Sequence, residues 1–478
     1  MKQTSVGRRE FIKDMGLGFT MLPFLTCAKP RGTGTKPNIL FLFTDDQQFD
    51  TIQALNNPDI ITPNMDRLAE RGISFTRAHI MGGTSGAVCM PSRAMLLTGR
   101  TLFHLEKRGA TIPDNHVMLP ELLRQEGYQT FGTGKWHNGK RAFARCFTHG
   151  GKIFFGGMSN HLKVPVYDFD PDGEYPKERK YWEDTFSSEL FSNEAIRFLE
   201  NNTADNPFFM YVSYTAPHDP RMAPQSFLEL YDPKTISLPD NFLPEHPFDN
   251  GEMRIRDEKL APWPRTPEIV QEHIAAYYAM ISHLDHQIGR VLDALEKSGK
   301  ADNTIIVFAS DNGLAVGRHG LLGKQNLYDH SVRVPLIMSG PGIPQGKTAD
   351  TLCYLLDIYP TLCEYLNLEK PLSVEGKSLA PVLKRRDGKI RDSLFLAYTK
   401  LQRGVRTDDD WKLIKYMVKG QEMTQLFNVR NDPQEMHNLI GDPHFSRRRE
   451  ILTAMLKRHM DDLDDFCDLD KSNWGFPE

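Results

Sequence analysis

Five apolar runs of strand length constrain this chain more than any other feature. They are "NILFLFTDD" (residues 38–46), the run inside "YQTFGTGKWH" (128–137), "FFMYVSYTAPH" (208–218), "TIIVFASDNG" (304–313) and "VPLIMSGPG" (334–342). Each stays apolar almost throughout and then turns polar or glycine-rich. A strand with one face in water alternates; one without alternation is covered on both faces, as strands in a parallel sheet are. Segments with apolar residues three and four apart separate these runs: "NMDRLAERG", "LPELLRQEG", "SSELFSNEAIRFLENN" and "PEIVQEHIAAYYAMISHLDHQIGRVLDALEKSG". The first two end on glycine, as helix C-caps do. Strand–helix alternation predicts an α/β fold, a large and mostly parallel sheet sandwiched by helices.

The pattern changes near residue 386. There "SLFLAYT" and "WKLIKYMV" alternate like strands with an exposed face, and "RREILTAMLKRHMDDL" reads as a terminal helix. A chain of 478 residues suits a main domain over 36–385 and a smaller α+β subdomain over 386–478. Residues 141–180, rich in Gly, Pro and aromatics, and the Pro-rich residues 237–265 read as long surface loops of the kind that shape binding sites. Arg8 and Arg9 precede an uncharged stretch from Met15 to Ala28, with Phe11 and Lys13 at the offsets of a twin-arginine export leader. Residues 1–35 are therefore set aside as a leader, and the expected location is periplasmic. Cys27 stands where a lipid anchor would attach, although "FLTC" lacks the usual leucine three residues earlier. No apolar run reaches the length of a transmembrane span, and a net charge of −4 gives no field for nucleic acid. The six cysteines are sparse, without the pairs of a zinc site.

Ligands of a parallel sheet gather beyond the carboxyl ends of its strands. The residues falling there are Asp45 and Asp46; Lys135 and His137; His218; and Asp311 and Asn312, with Lys324 shortly after. Each alone reads equally as a turn, a cap or a solvated loop residue. Together, three Asp and an Asn supply hard oxygen ligands suited to Ca²⁺ or Mg²⁺ rather than zinc. Lysines and histidines beside such a cation suit a tetrahedral oxyanion, a phosphate or sulfate ester.

A further segment, "AVCMPSRAMLLTG" (87–99), puts a thiol at the mouth of a helix. Pro91 fits the first turn, so Cys89 lies just ahead of the helix, where backbone N–H groups favour negative charge. Arg93 is one turn in and can reach back. A plain thiolate there is expected to be acidic and nucleophilic.

"CMPSR" followed by "LLTGR", with "GTGKWH", "APH", "SDNG", "GKQNLYDHSVRVPLI" and "LFNVRNDPQEMHNL", resembles the type I sulfatase family of the alkaline-phosphatase-like superfamily. The resemblance covers nearly the whole chain after the leader. It implies that a separate maturation enzyme oxidises Cys89 to formylglycine, which acts as its hydrate. It also implies Asp45, Asp46, Asp311, Asn312 and the modified Cys89 as metal ligands. By the same resemblance Arg93 and His137 hold the hydrate, while Lys135, His218 and Lys324 bind sulfate and serve the leaving group. Attack by the hydrate on sulfur and later expulsion of sulfate would regenerate the aldehyde.

The alcohol carrying the sulfate is less constrained. Asp219, Arg221 and His104 are candidates for binding sugar hydroxyls or a neighbouring sulfate, with an Asp219–Arg221 ion pair as the alternative. Tyr167, Tyr181 and Trp182 are near enough in sequence to stack on sugars, though Tyr181 and Trp182 are expected to open the next helix and pack inward. The expected substrate is a sulfated carbohydrate, such as a polysaccharide-derived oligosaccharide. The rivals are a phosphonate monoester or phosphodiester hydrolase with the same site, and a non-catalytic glycan-binding surface lipoprotein.

Overall fold

The computed structural model describes residues 36–384 and 388–476. The leader expected over 1–35 and the boundary expected at 385–386 lie outside the described residues. In chain order the strands are β1 (Asn38–Thr44), β2 (Gly72–Phe75), β3 (Ala78–His79), β4 (Gly82–Gly83), β5 (Gln129–Lys135), β6 (His149–Phe154), β7 (Phe208–Ser213), β8 (Thr304–Ser310), β9 (Leu336–Ser339), β10 (Lys347–Ala349), β11 (Cys353–Tyr354), β12 (Ser393–Tyr398), β13 (Gln402–Thr407), β14 (Trp411–Val418) and β15 (Gln421–Asn428). An eight-stranded sheet runs β10-β2-β9-β8-β1-β7-β5-β6, and a five-stranded sheet runs β15-β14-β13-β12-β4.

The unbroken apolarity of β1 has the expected cause. Ile39, Phe41 and Phe43 pack with Ala94, Leu96 and Leu97 of the helix Cys89–Thr98 on one face. Leu40 and Leu42 pack on the other with Leu190 and Phe191 of the helix Ser187–Asn201 and with Ile281, Leu284 and Ile288 of the helix Pro267–Lys297. Burying each such side chain is worth about 1.5–3 kcal/mol, and β1 has no solvent face on which to lose that gain. It sits centrally, parallel to β7 and β8, with Thr44 opposite Ser310. The carboxyl ends of β1 and β8 therefore open side by side.

Several expectations are corrected. The run "VPLIMSGPG" does form β9, but antiparallel to β8 and β2; burial on both faces explains its composition and leaves its direction undetermined. Gly72 is no left-handed cap: it is extended and begins β2. A Cβ there would lie 2.3 Å from the Met338 carbonyl oxygen, so the glycine serves close strand approach. Residues 141–180 are not all loop, since they hold most of the helix Lys140–Cys146 and the edge strand β6. Trp182 is 53% exposed, and the next helix begins only at Ser187.

The alternating strands β12 and β14 are buried nearly throughout. Their polar positions meet protein partners: Ser393 meets His459 of the terminal helix, Lys415 meets Glu422 of β15, and Lys412 meets the loop after Lys324. Lys412 of β14 is fully buried between Asp329 (2.7 Å) and Glu435 (2.6 Å). Gln402 of β13 donates to the carbonyl of Gln325, next to Lys324 (3.2 Å). The glycine pair of β4, six residues before Cys89, joins β12 in parallel register. The five-stranded sheet is thus stitched to the segment that delivers Cys89.

Candidate active site

Asp45 and Asp46 follow β1, Asp311 and Asn312 follow β8, and all four are fully buried. Asp46 has φ 65°, in the left-handed region that costs a non-glycine residue energy and recurs at functional sites. The turn is held by Tyr277 of the helix Pro267–Lys297, whose hydroxyl donates to the Asp46 carbonyl (2.5 Å). The Asp46 amide donates to Asp311 Oδ1 (3.1 Å), and Asn312 Nδ2 to Asp46 Oδ1 (2.7 Å). Asp45 Oδ1, Asp46 Oδ2 and Asn312 Oδ1 are buried without a hydrogen-bond donor. Unpaired buried acceptors are costly unless positive charge reaches them. Side-chain atoms of Asp45, Cys89 and Asp311 lie within 4.8 Å of one another, as do those of Asp45, Asp46 and His218. A hard divalent cation fits this oxygen-rich donor set, and Asp45, Asp46, Asp311 and Asn312 are the residues that would hold it.

Fixed cations already brace the carboxylates. Arg93 is fully buried; its Nε meets Asp311 Oδ2 (2.8 Å) and its Nη1 donates to Ser213 Oγ (2.6 Å) and the Lys135 carbonyl (3.1 Å). It thus reaches across to β7 and β8 and makes no hydrogen bond to Cys89. Lys135 Nζ bonds Asp45 Oδ2 and lies 3.6 Å from Cys89 Sγ. Lys324 Nζ meets Asp46 Oδ1 (2.5 Å). Burial would raise the Asp311 carboxyl, but Arg93, Lys135 and Lys324 hold it down at about 2. Asp45 is pushed well up by burial and then by Asp311, against Lys135. Asp46 is pushed up by burial against Lys324.

Cys89 is the first residue of its helix rather than the one before it. Its thiol is not acidic, because burial raises it despite Lys135 and Lys324. An unmodified thiol here is a poor nucleophile. His137 Nδ1 lies 3.4 Å from Cys89 Sγ, on a backbone with φ 71°. Burial, then Lys135 and Arg93, lower its ring to about 2, so it stays unprotonated. His218 is also kept neutral, by burial first and then by Lys324 and Lys135; its Nε2 faces Asp46 Oδ2 at 3.6 Å. Asp46 overcomes burial to keep Lys324 charged. Gly134 makes the approach of Lys135 feasible: at φ 90° its Cβ would lie 1.8 Å from the Ser213 carbonyl oxygen, beside the bulge between Thr133 and Gly134.

The candidate substrate residues are placed less uniformly. Asp219 does not pair with Arg221. Its Oδ2 takes the Arg256 Nη1 proton and its Oδ1 that of Nη2 (2.9 Å), while the His218 ring donates to its carbonyl (2.8 Å). Arg221 donates to His273 Nδ1 (2.6 Å), leaving its Nε and Nη2 buried without partners. His104 is held by Glu375 (2.5 Å) and Asp464 (3.0 Å), with no hydrogen bond to the carboxylate cluster. Tyr167 is buried against Phe155 and Tyr175 and offers no stacking face.

Sequence reasoning missed the supports: Arg256; Glu258, which accepts from the Leu322 and Gly323 amides before Lys324 (3.0 and 2.7 Å); Ser213; and Asn138. The charged string "RIRDE" inside the Pro-rich segment was the available signal for the first two.

A family model described as Sulfatase matches residues 37–368, and one described as N-sulphoglucosamine sulphohydrolase, C-terminal, matches residues 317–464. An N-acetylglucosamine-6-O-sulfatase of Bacteroides thetaiotaomicron is 29% identical over 92% of this chain and 89% of its own. An ulvan-active sulfatase of Formosa agariphila is 30% identical over 90% and 82%. The solved structure of BT4656 in complex with its substrate D-glucosamine-2-N,6-O-disulfate superposes with a TM-score of 0.78 at 26% identity, covering 90% of this chain and 99% of that one. A phosphonate monoester hydrolase of Agrobacterium radiobacter shares the fold alone, with a TM-score of 0.72 at 21% identity and coverages of 90% and 96%. Matched along the segments that carry the buried carboxylates, lysines and Cys89, the chain belongs to the sulfatase family of the alkaline-phosphatase-like superfamily, and it is a sulfuric ester hydrolase.

Proposed function

We propose that this chain removes sulfate from a sulfated carbohydrate, with Cys89 matured to formylglycine. The carrying observation is the set of unpaired oxygens of Asp45, Asp46 and Asn312 beside Cys89, with Lys135 and Lys324 in the same cluster. When bound, a divalent cation, calcium or magnesium, supplies Lewis-acid polarisation of a sulfuryl oxygen. The formylglycine hydrate supplies the hydroxyl nucleophile that a buried, protonated thiol does not. Lys135 and Lys324 bind the sulfate oxygens and take up their charge. His137, neutral and adjacent to position 89, accepts the proton released there. His218 and Lys324 face the same cluster, and Lys324, the one of the two that is kept charged, returns a proton to the leaving oxygen. Arg93 keeps Asp311 ionised and in place.

The carbohydrate follows from the relatives, whose names and bound substrate include a glucosamine sulfate and the polysaccharide ulvan. Export is proposed from Arg8 and Arg9. The test is mass analysis of the Cys89 peptide from protein co-expressed with a maturation enzyme, combined with sulfate release from glucosamine 6-sulfate. Conversion of the thiol to the lighter aldehyde and release of sulfate are expected. A persistent thiol in active protein sinks the nucleophile. Hydrolysis of phosphonate monoesters but not of any sulfate ester sinks the substrate class.

A further inference from the structure

A cavity of about 810 Å³ opens beside the segment Thr84–Gly86, which leads directly into Cys89. Its volume lies in the range of roughly 300–1,000 Å³ of small-molecule sites. The wall nearest the nucleophile helix carries Lys107 and Arg108, both exposed, with φ 46° and 59°. Two successive non-glycine residues in the left-handed region are unusual and are held by their surroundings. Asn138 provides the hold: its Nδ2 donates to the carbonyl of Gly109 (2.6 Å) and to that of Met90 (2.9 Å), tying the loop to the first turn after Cys89. Among the described residues no carboxylate pairs with Lys107 or Arg108. Lys400, Phe103 and Phe466 line the same cavity, Phe466 being 54% exposed and 5.2 Å from Phe103 in an edge contact. Among the described residues its one other carboxylate besides Asp464, Glu252, accepts from the Tyr398 hydroxyl (2.8 Å). His104, expected from sequence to touch substrate, instead holds Asp464 on the wall of this cavity.

We infer that this cavity is a subsite for the sugar units beyond the cleaved sulfate, and that it selects an anionic oligosaccharide. The inference rests on the sulfatase reading and deepens it by naming chain length and charge as what the enzyme recognises. Unpaired Lys and Arg side chains take carboxylate or sulfate groups by charge-assisted hydrogen bonds. Phe466, with Arg403 over its ring at 5.4 Å, still leaves apolar surface exposed for a pyranose. Leu102 and Leu105 also line the cavity, so the site combines apolar surface with a few placed charges, as carbohydrate and small-molecule sites do.

The experiment compares three substrates: 4-nitrocatechol sulfate, free glucosamine 6-sulfate, and a uronate-containing tetrasaccharide ending in glucosamine 6-sulfate. The variant is Lys107→Asn with Arg108→Asn, because asparagine tolerates the left-handed backbone; an unchanged thermal midpoint shows that it folds. The intact enzyme is expected to prefer the tetrasaccharide over the monosaccharide by about tenfold in kcat/KM, a preference that fades as salt screens exposed charges. The variant is expected to lose most of that preference and to hydrolyse the aryl ester at the original rate. No preference for length, or a preference the variant keeps, overturns the subsite while leaving the sulfatase reading intact. Failure to release sulfate from any of the three overturns that reading instead. Titration of the tetrasaccharide into the Cys89→Ala chain, with and without the two asparagines, then decides the subsite alone: weaker binding to the variant supports it, and equal binding overturns it.

Discussion

Lys135 and Lys324 each touch a carboxylate of the cation cluster, and Lys135 also lies beside position 89, so each serves two purposes. Removing a placed donor to a developing oxyanion costs about 10²–10³ in rate. Lys135→Ala and Lys324→Ala are expected to lower kcat by that factor with intact folding, read from initial rates on an aryl sulfate; a loss confined to KM would show that they bind substrate without favouring the transition state. A second expectation concerns the cation. The Asp45, Asp46 and Asn312 oxygens lack donors, so chelation is expected to lower the thermal midpoint and added Ca²⁺ to raise it with concentration. Asp311→Asn should flatten this dependence in a calorimetric titration, and a midpoint indifferent to chelator in the unaltered protein would rule out the site. The carboxylates, Asn312 and Lys135 were legible in the sequence because each stands at or just beyond the end of an apolar run, whereas Lys324, well past the end of β8, was legible through the company of the others and the family resemblance. Their bracing was not. Arg256 lies 37 positions from the Asp219 it clamps, and Arg93 lies 218 from Asp311. No local pattern reports such pairings. The thiol's chemistry was misread for a related reason: proximity to a helix N-terminus is visible in sequence, whereas full burial is not.

At the scale of elements, the strands and helices expected from periodicity formed, whereas the helix Lys140–Cys146 and β6 fall largely in a stretch that reads as loop, and the remaining errors fell on direction, caps and faces. The helix Pro63–Arg71 shows why. Its own Thr62 makes no capping bond. The cap comes instead from Asp285, inside the long helix, which accepts from the amides of Asn64 (3.1 Å) and Met65 (2.7 Å), 221 and 220 positions away. Burial raises the Asp285 carboxyl from 3.8 to about 6, even against those donors. Between these values the unfolded chain has released the proton and the folded chain has kept it, so stability falls as pH rises through the window and is level above it. The displacement corresponds to about 3 kcal/mol. The stability difference between the protein and Asp285→Asn, measured by urea denaturation from pH 3.5 to 7.5, is expected to shift by about that amount between roughly pH 4 and 6. A difference constant with pH would show that the helix amides fully offset burial.

For the whole molecule, the decisive contact is between the five-stranded sheet and the loops of the larger one. The sequence suggested two bodies, because composition and periodicity change near residue 386, and periodicity records which face of a strand is polar without recording what that face meets. Here it meets other buried polar groups. Lys412 is enclosed by Asp329 and Glu435, and Glu435 in turn accepts from the Asp329 amide (2.7 Å). Lys412 holds Asp329 well below the usual carboxylate range, while burial pushes Glu435 up to about 7. Removing the lysine leaves two buried carboxyls facing each other, and breaking a buried pair from one side costs about 3–5 kcal/mol. Lys412→Met is therefore expected to lower the thermal midpoint strongly. Adding Glu435→Gln to it should recover part of the loss, since the second charge is then gone. Because Asp329 lies five residues beyond Lys324, and Gln402 bonds Gln325, the single variant should also lose activity at temperatures below its unfolding transition. A single calorimetric transition in the intact protein, moved as one by Lys412→Met, would mean that both sheets melt together. Two transitions, only the smaller of them sensitive to position 412, would mean that the C-terminal sheet is an independent body and that its contact with the Lys324 loop does not support the site.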